Sequence, residues 1–169
     1  MKLYFSPLAC TLASRITCYE AGANVHFVQV EKNKRTSDGQ DFRGVHPLGL
    51  VPALELDDGK ILSENAAVLQ QLARSFPAAR LAPTESWALA QLQQYLCFIG
   101  TELHKALYLP LLEKKAPEGA KLYALEKAGS RLTWLNSVLE GRTYVLDEFS
   151  IADAYLFAVL NWSMAAPVD

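Results

Sequence analysis

Cys10 lies in SPLACTLASR, between a short apolar run, KLYF (residues 2–5), and a segment with helical spacing. A thiol where a strand hands over to a helix meets unpaired N–H groups and the positive end of the helix dipole, and both favour the thiolate. Free cysteine is also a common small buried hydrophobe, so the position reads as packing or as a nucleophile; the helix start favours the nucleophile. Cys18, two turns on, lacks that setting and reads as packing. On one helix the two sulfurs would lie ~12 Å apart, too far for a disulfide. With Cys97 the cysteines number three, an odd count without a C-x-x-C, as expected of thiols kept reduced. His26, His46 and His104 share no metal-ligand spacing with the cysteines or each other, so no metal site is expected. A second position of interest is Val51-Pro52. Proline at the head of a strand removes a ladder donor, so Pro52 marks either a turn into an edge or a cis bond that points the Val51 backbone into a site.

The elements that must hold these residues follow from the hydrophobic pattern. Residues 2–5 form a strand. Residues 11–21 carry Leu12, Ala13, Ile16 and Tyr19 at helical intervals, with Gly22 where a C-cap wants a left-handed residue. Residues 25–30, VHFVQV, alternate as a strand does, and strand, helix and strand make a right-handed βαβ unit with parallel strands. A polar loop follows, residues 31–40. VPALELDDGKIL then predicts a hairpin turning at Asp58-Gly59, and Ser63 an N-cap for a helix that reaches about Phe76 and stops at Pro77. The result is a small α/β module, residues 1–77. Residues 78–83 (AARLAP) form a linker. From residue 84 to 169 only helices are expected: 86–112, broken or bent near Pro110; 120–140, stopped by Gly141; and one beginning at Ser150.

Composition narrows the partners. The chain has 169 residues, 51% apolar, with a formal charge of −2 and no long basic run, which speaks against a nucleic-acid or anionic-membrane footprint. No apolar leader and no long uncharged apolar span is present, so a cytoplasmic location is expected. A small molecule or a protein is the expected partner.

The order β-α-β-β-β-α, with Cys10 at the first helix start, Val51-Pro52 before the hairpin and Ser63-Glu64-Asn65 opening the next helix, resembles the glutathione-binding half of a glutathione S-transferase. The all-α second half agrees. KLYFSPLACTLA, HPLGLVPALEL, SENAAVLQQLA, FIGTELHKAL and SIADAYLFAVL, five blocks in order up to about residue 163, are similar to the bacterial beta class, which carries a cysteine beside the thiol. The resemblance implies a thioredoxin-like domain followed by a helical bundle. It also implies glutathione as co-substrate with no permanently bound cofactor, an apolar electrophile as second substrate, a detoxifying transferase activity and a two-fold homodimer.

Residue roles follow from the resemblance and from what glutathione needs. Val51, through its backbone N–H and C=O beside Pro52, would pair with the cysteinyl backbone like an added strand. Glu64 and Asn65 suit the γ-glutamyl end, whose carboxylate meets helix-start N–H groups and whose amine meets an acid. Lys34 is the family-like match for holding the glycine carboxylate, although KNKR offers Lys32 and Arg35 as well. Cys10 would form a mixed disulfide with glutathione, and Thr11 could donate to either sulfur. His104 and Lys105 would face the glutathione sulfur from the helical half, where a positive or hydrogen-bonding group stabilises a thiolate. Thr101 and Glu102 would reach the tripeptide of a partner subunit. Phe5, Leu8, Leu107, Tyr108 and Leu111 are candidates for the electrophile pocket and equally for ordinary core. Cys97 stands where the family commonly has Asn, and Phe5 where it often has Tyr.

Two other readings share the fold: a glutaredoxin-like reductase in which Cys10 does all the chemistry, and a non-catalytic binding module. A last expectation concerns residues 150–169. Ser150-Ile-Ala-Asp153 is a capping box, and the following IADAYLFAVL is apolar all round, as in a helix at the centre of a core. Relatives continue in further helices, so the resemblance implies a shortened form that is less stable or more prone to associate.

Overall fold

A computed structural model describes residues 1–168. The chain divides into two compact units, Met1–Ala82 and a second from Pro83 onward. In the first, β1 (Lys2–Phe5), α1 (Thr11–Glu20), β2 (His26–Gln29), β3 (Ala53–Glu55), β4 (Ile61–Ser63) and α2 (Asn65–Ser75) follow one another. The sheet order is β2-β1-β3-β4. Lys2 pairs in parallel with His26, while β1–β3 and β3–β4 are antiparallel. Gly22 adopts φ +57° just after α1, and Gly59 φ +80° in the hairpin turn, the left-handed conformations that glycine adopts without Cβ strain.

Side-chain alternation along β1 splits the core into two layers. Leu3 packs with Leu54, Val25, Cys18 from α1, and Val68 and Leu72 from α2. Tyr4 faces the other way, with Val28, Val30, Ala53 and Phe42. Phe42 opens a short 3-10 turn, Phe42–Gly44, just after the polar loop of residues 31–40. That loop is held by bridges Val30–Thr36 and Arg35–Asp41.

Several local expectations need correction. On α1 the buried residues are Thr11, Ala13, Ser14, Thr17 and Cys18, whereas Tyr19 is exposed. Small hydroxyls can be buried there because each finds an acceptor: Thr17 donates to Ala13 O in its own helix, and Ser14 donates to Asn65 Oδ1 on α2. Ser63 is not the N-cap of α2; it ends β4, and Glu64 makes the turn with φ +67° and no side-chain cap bond. Residues 78–83 are less of a plain linker than expected, since Pro77–Ala79 form a 3-10 turn and Leu81 is buried.

The second unit is helical: α3 (Ser86–Phe98), a π-wound segment (Ile99–Tyr108), α4 (Leu109–Leu112), α5 (Glu118–Leu139) and α6 (Ile151–Leu160). No break occurs at Pro110. Proline lacks the N–H that an α-turn needs, and the wider winding, last closed by Leu109 N–H onto His104 O, carries the ladder up to it. The helix expected from residue 120 begins at Glu118, with Pro117 as N-cap. Leu92, Leu96, Ile99, Leu103 and Leu107 are buried with Ile151, Tyr155 and Val159 of α6. The capping box is formed: Asp153 accepts from the Ser150 N–H and hydroxyl, and Ser150 Oγ accepts from Ala152 N–H. Most of α6 is buried, but Phe157 remains 60% exposed.

Candidate active site

In the first unit the connection from β1 to α1 and the connection into β3 come together. Cys10 is the N-cap of α1 and is buried, with its Sγ 3.7 Å from the Val51 carbonyl oxygen. The Val51-Pro52 bond is cis, as one of the two sequence readings has it. Val51 N–H donates to none of the described residues. Lys34 has φ +66° and is half-buried, its stem lying against Gly49, where a Cβ would come within 3.3 Å of Lys34 Cδ. Arg35 instead bonds Gly39 O, so the three basic residues of KNKR are not equivalent.

Glu64 is exposed and its carboxylate forms no ion pair among the described residues. Because no side chain caps α2, the N–H groups of its first turn stay available to an anion. Asn65 presents only its backbone to that end. Its side chain is buried between the helices, with Oδ1 accepting from Ser14.

Thr11 and Phe5 are engaged within the first unit. Thr11 does not offer its hydroxyl to a sulfur: fully buried, it donates to Ser6 O at 3.0 Å and so pins the loop before Cys10. Phe5 packs inside the first unit. Its ring is buried, with the Arg15 guanidinium 4.6 Å from its centroid and Phe27 edge-on at 6.2 Å. That face of β1 looks at α1, whose Arg15 guanidinium stacks on the ring. Leu8, in contrast, is 69% exposed with φ +58°. Cys18 is buried in the core, and burial pushes its thiol up to about 12, so it stays protonated and inert, as expected of packing.

In the second unit His104 is half-buried on the π-wound segment. Its Nδ1 lies 3.0 Å from the Tyr155 hydroxyl, and Trp162 meets its ring edge-on at 4.9 Å. Lys105 is exposed. Burial, helped by the nearby Lys105 charge, lowers His104 to about 4, so near neutral pH the ring acts as a hydrogen-bonding group and not as a cation. Glu102 is held by Arg131, which donates Nε and Nη2 to Oε2 at 2.7 and 2.6 Å. Thr101 bonds back to Cys97 O, and Cys97 is exposed. Of the apolar candidates here, Leu107 and Tyr108 are buried core, the latter edge-on to Trp162 at 6.0 Å, while Leu111 stays half-buried. Tyr155 and Trp162 escaped the sequence reading: both lie in an apolar run, and nothing in its spacing marks them as partners of a histidine 51 residues away from the nearer one.

The His104 ring titrates at lower pH in the folded chain than in the unfolded one. Between pH about 6.5 and about 4 the unfolded chain binds a proton at this ring that the folded chain does not. Stability is therefore full above about 6.5 and falls as pH drops toward 4. With partial exposure discounted, the loss is on the order of 2 kcal/mol. All three tryptophans lie beyond residue 83, so fluorescence melts report this unit. Acidification should lower the melting temperature less in His104→Gln than in wild type; equal slopes would contradict the assignment.

Among the described residues, no cluster of three or more His, Cys, Asp or Glu side chains could hold a metal ion, and no helix is long and apolar enough to cross a membrane. Residues 9–75 match the family model of the glutathione S-transferase N-terminal domain, and residues 96–169 that of its C-terminal domain. The Escherichia coli O157:H7 glutathione S-transferase GstA is 40% identical over 172 residues, covering all of this chain and 85% of that protein. A sphingomonad glutathione S-transferase solved in complex with glutathione superposes with a TM-score of 0.93 at 41% identity, covering 100% of this chain and 85% of that one. A beta-class glutathione S-transferase of Sphingomonas chungbukensis gives 0.92 at 40%, with the same coverage. Likeness in sequence and in fold thus runs through both units, and the chain belongs to the glutathione S-transferase family, with the bacterial beta class.

Proposed function

We propose that the protein binds glutathione along Val51, Lys34 and the start of α2 and transfers its sulfur to apolar electrophiles, with thiol–disulfide exchange at Cys10 as a second activity. The observation that carries this is the placement of Cys10 Sγ 3.7 Å from Val51 O. A peptide pairing with the Val51 backbone as an added strand brings its own cysteine beside that sulfur. The uncapped first turn of α2 suits the γ-glutamyl carboxylate, exposed Glu64 the amine, and Lys34 the glycine carboxylate.

In conjugation the glutathione thiolate attacks an electrophilic carbon, whose leaving group departs with the bonding pair. His104 is the second unit's candidate for stabilising a thiolate, since a buried neutral imidazole can donate a hydrogen bond without bearing charge. In exchange the Cys10 thiolate attacks a sulfur of oxidised glutathione, forming a mixed disulfide and releasing one glutathione thiolate. Leu8 and Leu111 are the pocket candidates that keep exposed apolar surface. Assembly is as a two-fold homodimer in which Thr101 and Glu102 serve the partner's tripeptide, Glu102 through the oxygen that Arg131 does not take. The protein works in the cytoplasm, removing reactive electrophiles.

Calorimetric titration with glutathione, followed by treatment with oxidised glutathione and peptide mass analysis, tests the reading. Binding should be measurable, and the peptide containing Cys10 should gain one tripeptide mass that dithiothreitol removes. No binding heat would leave a non-catalytic module. Modification confined to Cys18 or Cys97 would reject the role of Cys10.

A further inference from the structure

We infer that Tyr155 is the positioning residue for His104: its hydroxyl donates to Nδ1 and holds the ring proton on Nε2, the nitrogen left for a ligand. The inference rests on the role proposed for His104 in conjugation. Tyr155 is almost fully buried in α6, and its oxygen lies 3.0 Å from His104 Nδ1. The two rings stand perpendicular, 89° apart, with centroids at 6.3 Å, so they meet through the hydroxyl and Nδ1 and not by stacking. A phenol is a better donor than acceptor because its oxygen lone pair is delocalised into the ring, whereas a neutral imidazole nitrogen is a strong acceptor. Burial keeps the imidazole neutral, so with Nδ1 accepting, the single ring proton resides on Nε2.

The surroundings are built for this contact. Gly100 lies four residues before His104 on the π-wound segment, and a Cβ placed there would already touch the Tyr155 oxygen at 3.5 Å. With glycine at 100 no side chain crowds the hydroxyl from that turn. Trp162 closes on the imidazole edge-on at 4.9 Å, so the ring is held by a second contact besides its hydrogen bond. The capping box fixes the start of α6 and thereby the turn that carries Tyr155. A histidine on a helix otherwise samples several rotamers and both neutral tautomers; here one of each is selected.

Nitrogen-15 correlation spectra of the imidazole rings test this in the wild-type protein, with the His104 signals assigned by their loss in His104→Gln. A dominant Nε2–H tautomer is expected, and a dominant Nδ1–H form or an even mixture would overturn the inference. In Tyr155→Phe the hydroxyl alone is lost. The spectrum should move toward a tautomer mixture, and kcat for conjugation should fall about tenfold with the KM for glutathione little changed, the loss of one hydrogen bond. Unaltered ring signals and kcat would overturn the proposal. If His104→Ala itself leaves kcat unchanged, the role of His104 fails, whereas a loss in His104→Ala with none in a folded Tyr155→Phe defeats the positioning role alone. Should Tyr155→Phe fail to fold, the wild-type spectrum still decides.

Discussion

Asp153→Ala should destabilise the helical unit by roughly 3 kcal/mol or more, a large share of what holds an ordinary domain together. Asp153 does two jobs with its two oxygens. Oδ2 accepts from the Ser150 N–H and hydroxyl, closing the capping box, while Oδ1 accepts from the Val145 N–H at 2.8 Å and ties the preceding loop to α6. Val145 and Ser150 are both buried, so alanine leaves two main-chain donors with neither carboxylate nor water. Each such donor costs about 1–3 kcal/mol, well above the few tenths of a helix-propensity change. Asp153→Asn keeps one side-chain acceptor and should fall between wild type and alanine. Denaturant unfolding followed by tryptophan fluorescence reads the effect, and a midpoint in Asp153→Ala within error of wild type would show that the bonds are replaced by others.

Cys10→Ala should separate the two proposed chemistries. Exchange with glutathionyl disulfides should drop to the uncatalysed background, because no other thiol can take over the nucleophile's place: Cys18 is buried in the core with its thiol pushed up to about 12, and Cys97 is exposed on α3. Conjugation should stay within about tenfold of wild type, a barrier change of about 1.4 kcal/mol, since its nucleophile is the sulfur of glutathione itself. His104→Ala should show the opposite bias. Assays of both activities on both variants decide; equal losses of both in each would mean that the roles are not separable, and loss of conjugation alone in Cys10→Ala would assign the cysteine to thiolate formation.

The sequence by itself determined the parts of this protein whose causes are local. Alternation and helical spacing set the order of strands and helices; Gly22 and Gly59 set turns that only a left-handed backbone makes; Ser150 and Asp153 set the start of α6. Cys10 at the head of α1 was legible for the same reason, since a strand-to-helix junction shows in a dozen residues. Tertiary structure decided what depends on facing. Thr11 and Cys10 are neighbours in sequence, yet consecutive helix residues point ~100° apart, so the cysteine meets Val51 O while the threonine turns back to Ser6 O. Phe5 and Tyr4 alternate across one strand, which puts Phe5 under Arg15 and Tyr4 against Phe42. Lys34 is set apart from Lys32 and Arg35 by the bare backbone of Gly49, fifteen residues on. His104 acquires its neutral state and its partners Tyr155 and Trp162 only when α6 packs on the π-wound segment. Periodicity records which residues share a face of one element; which face meets which is fixed by packing between elements, and burial, the cause of the His104 shift, exists only after that packing.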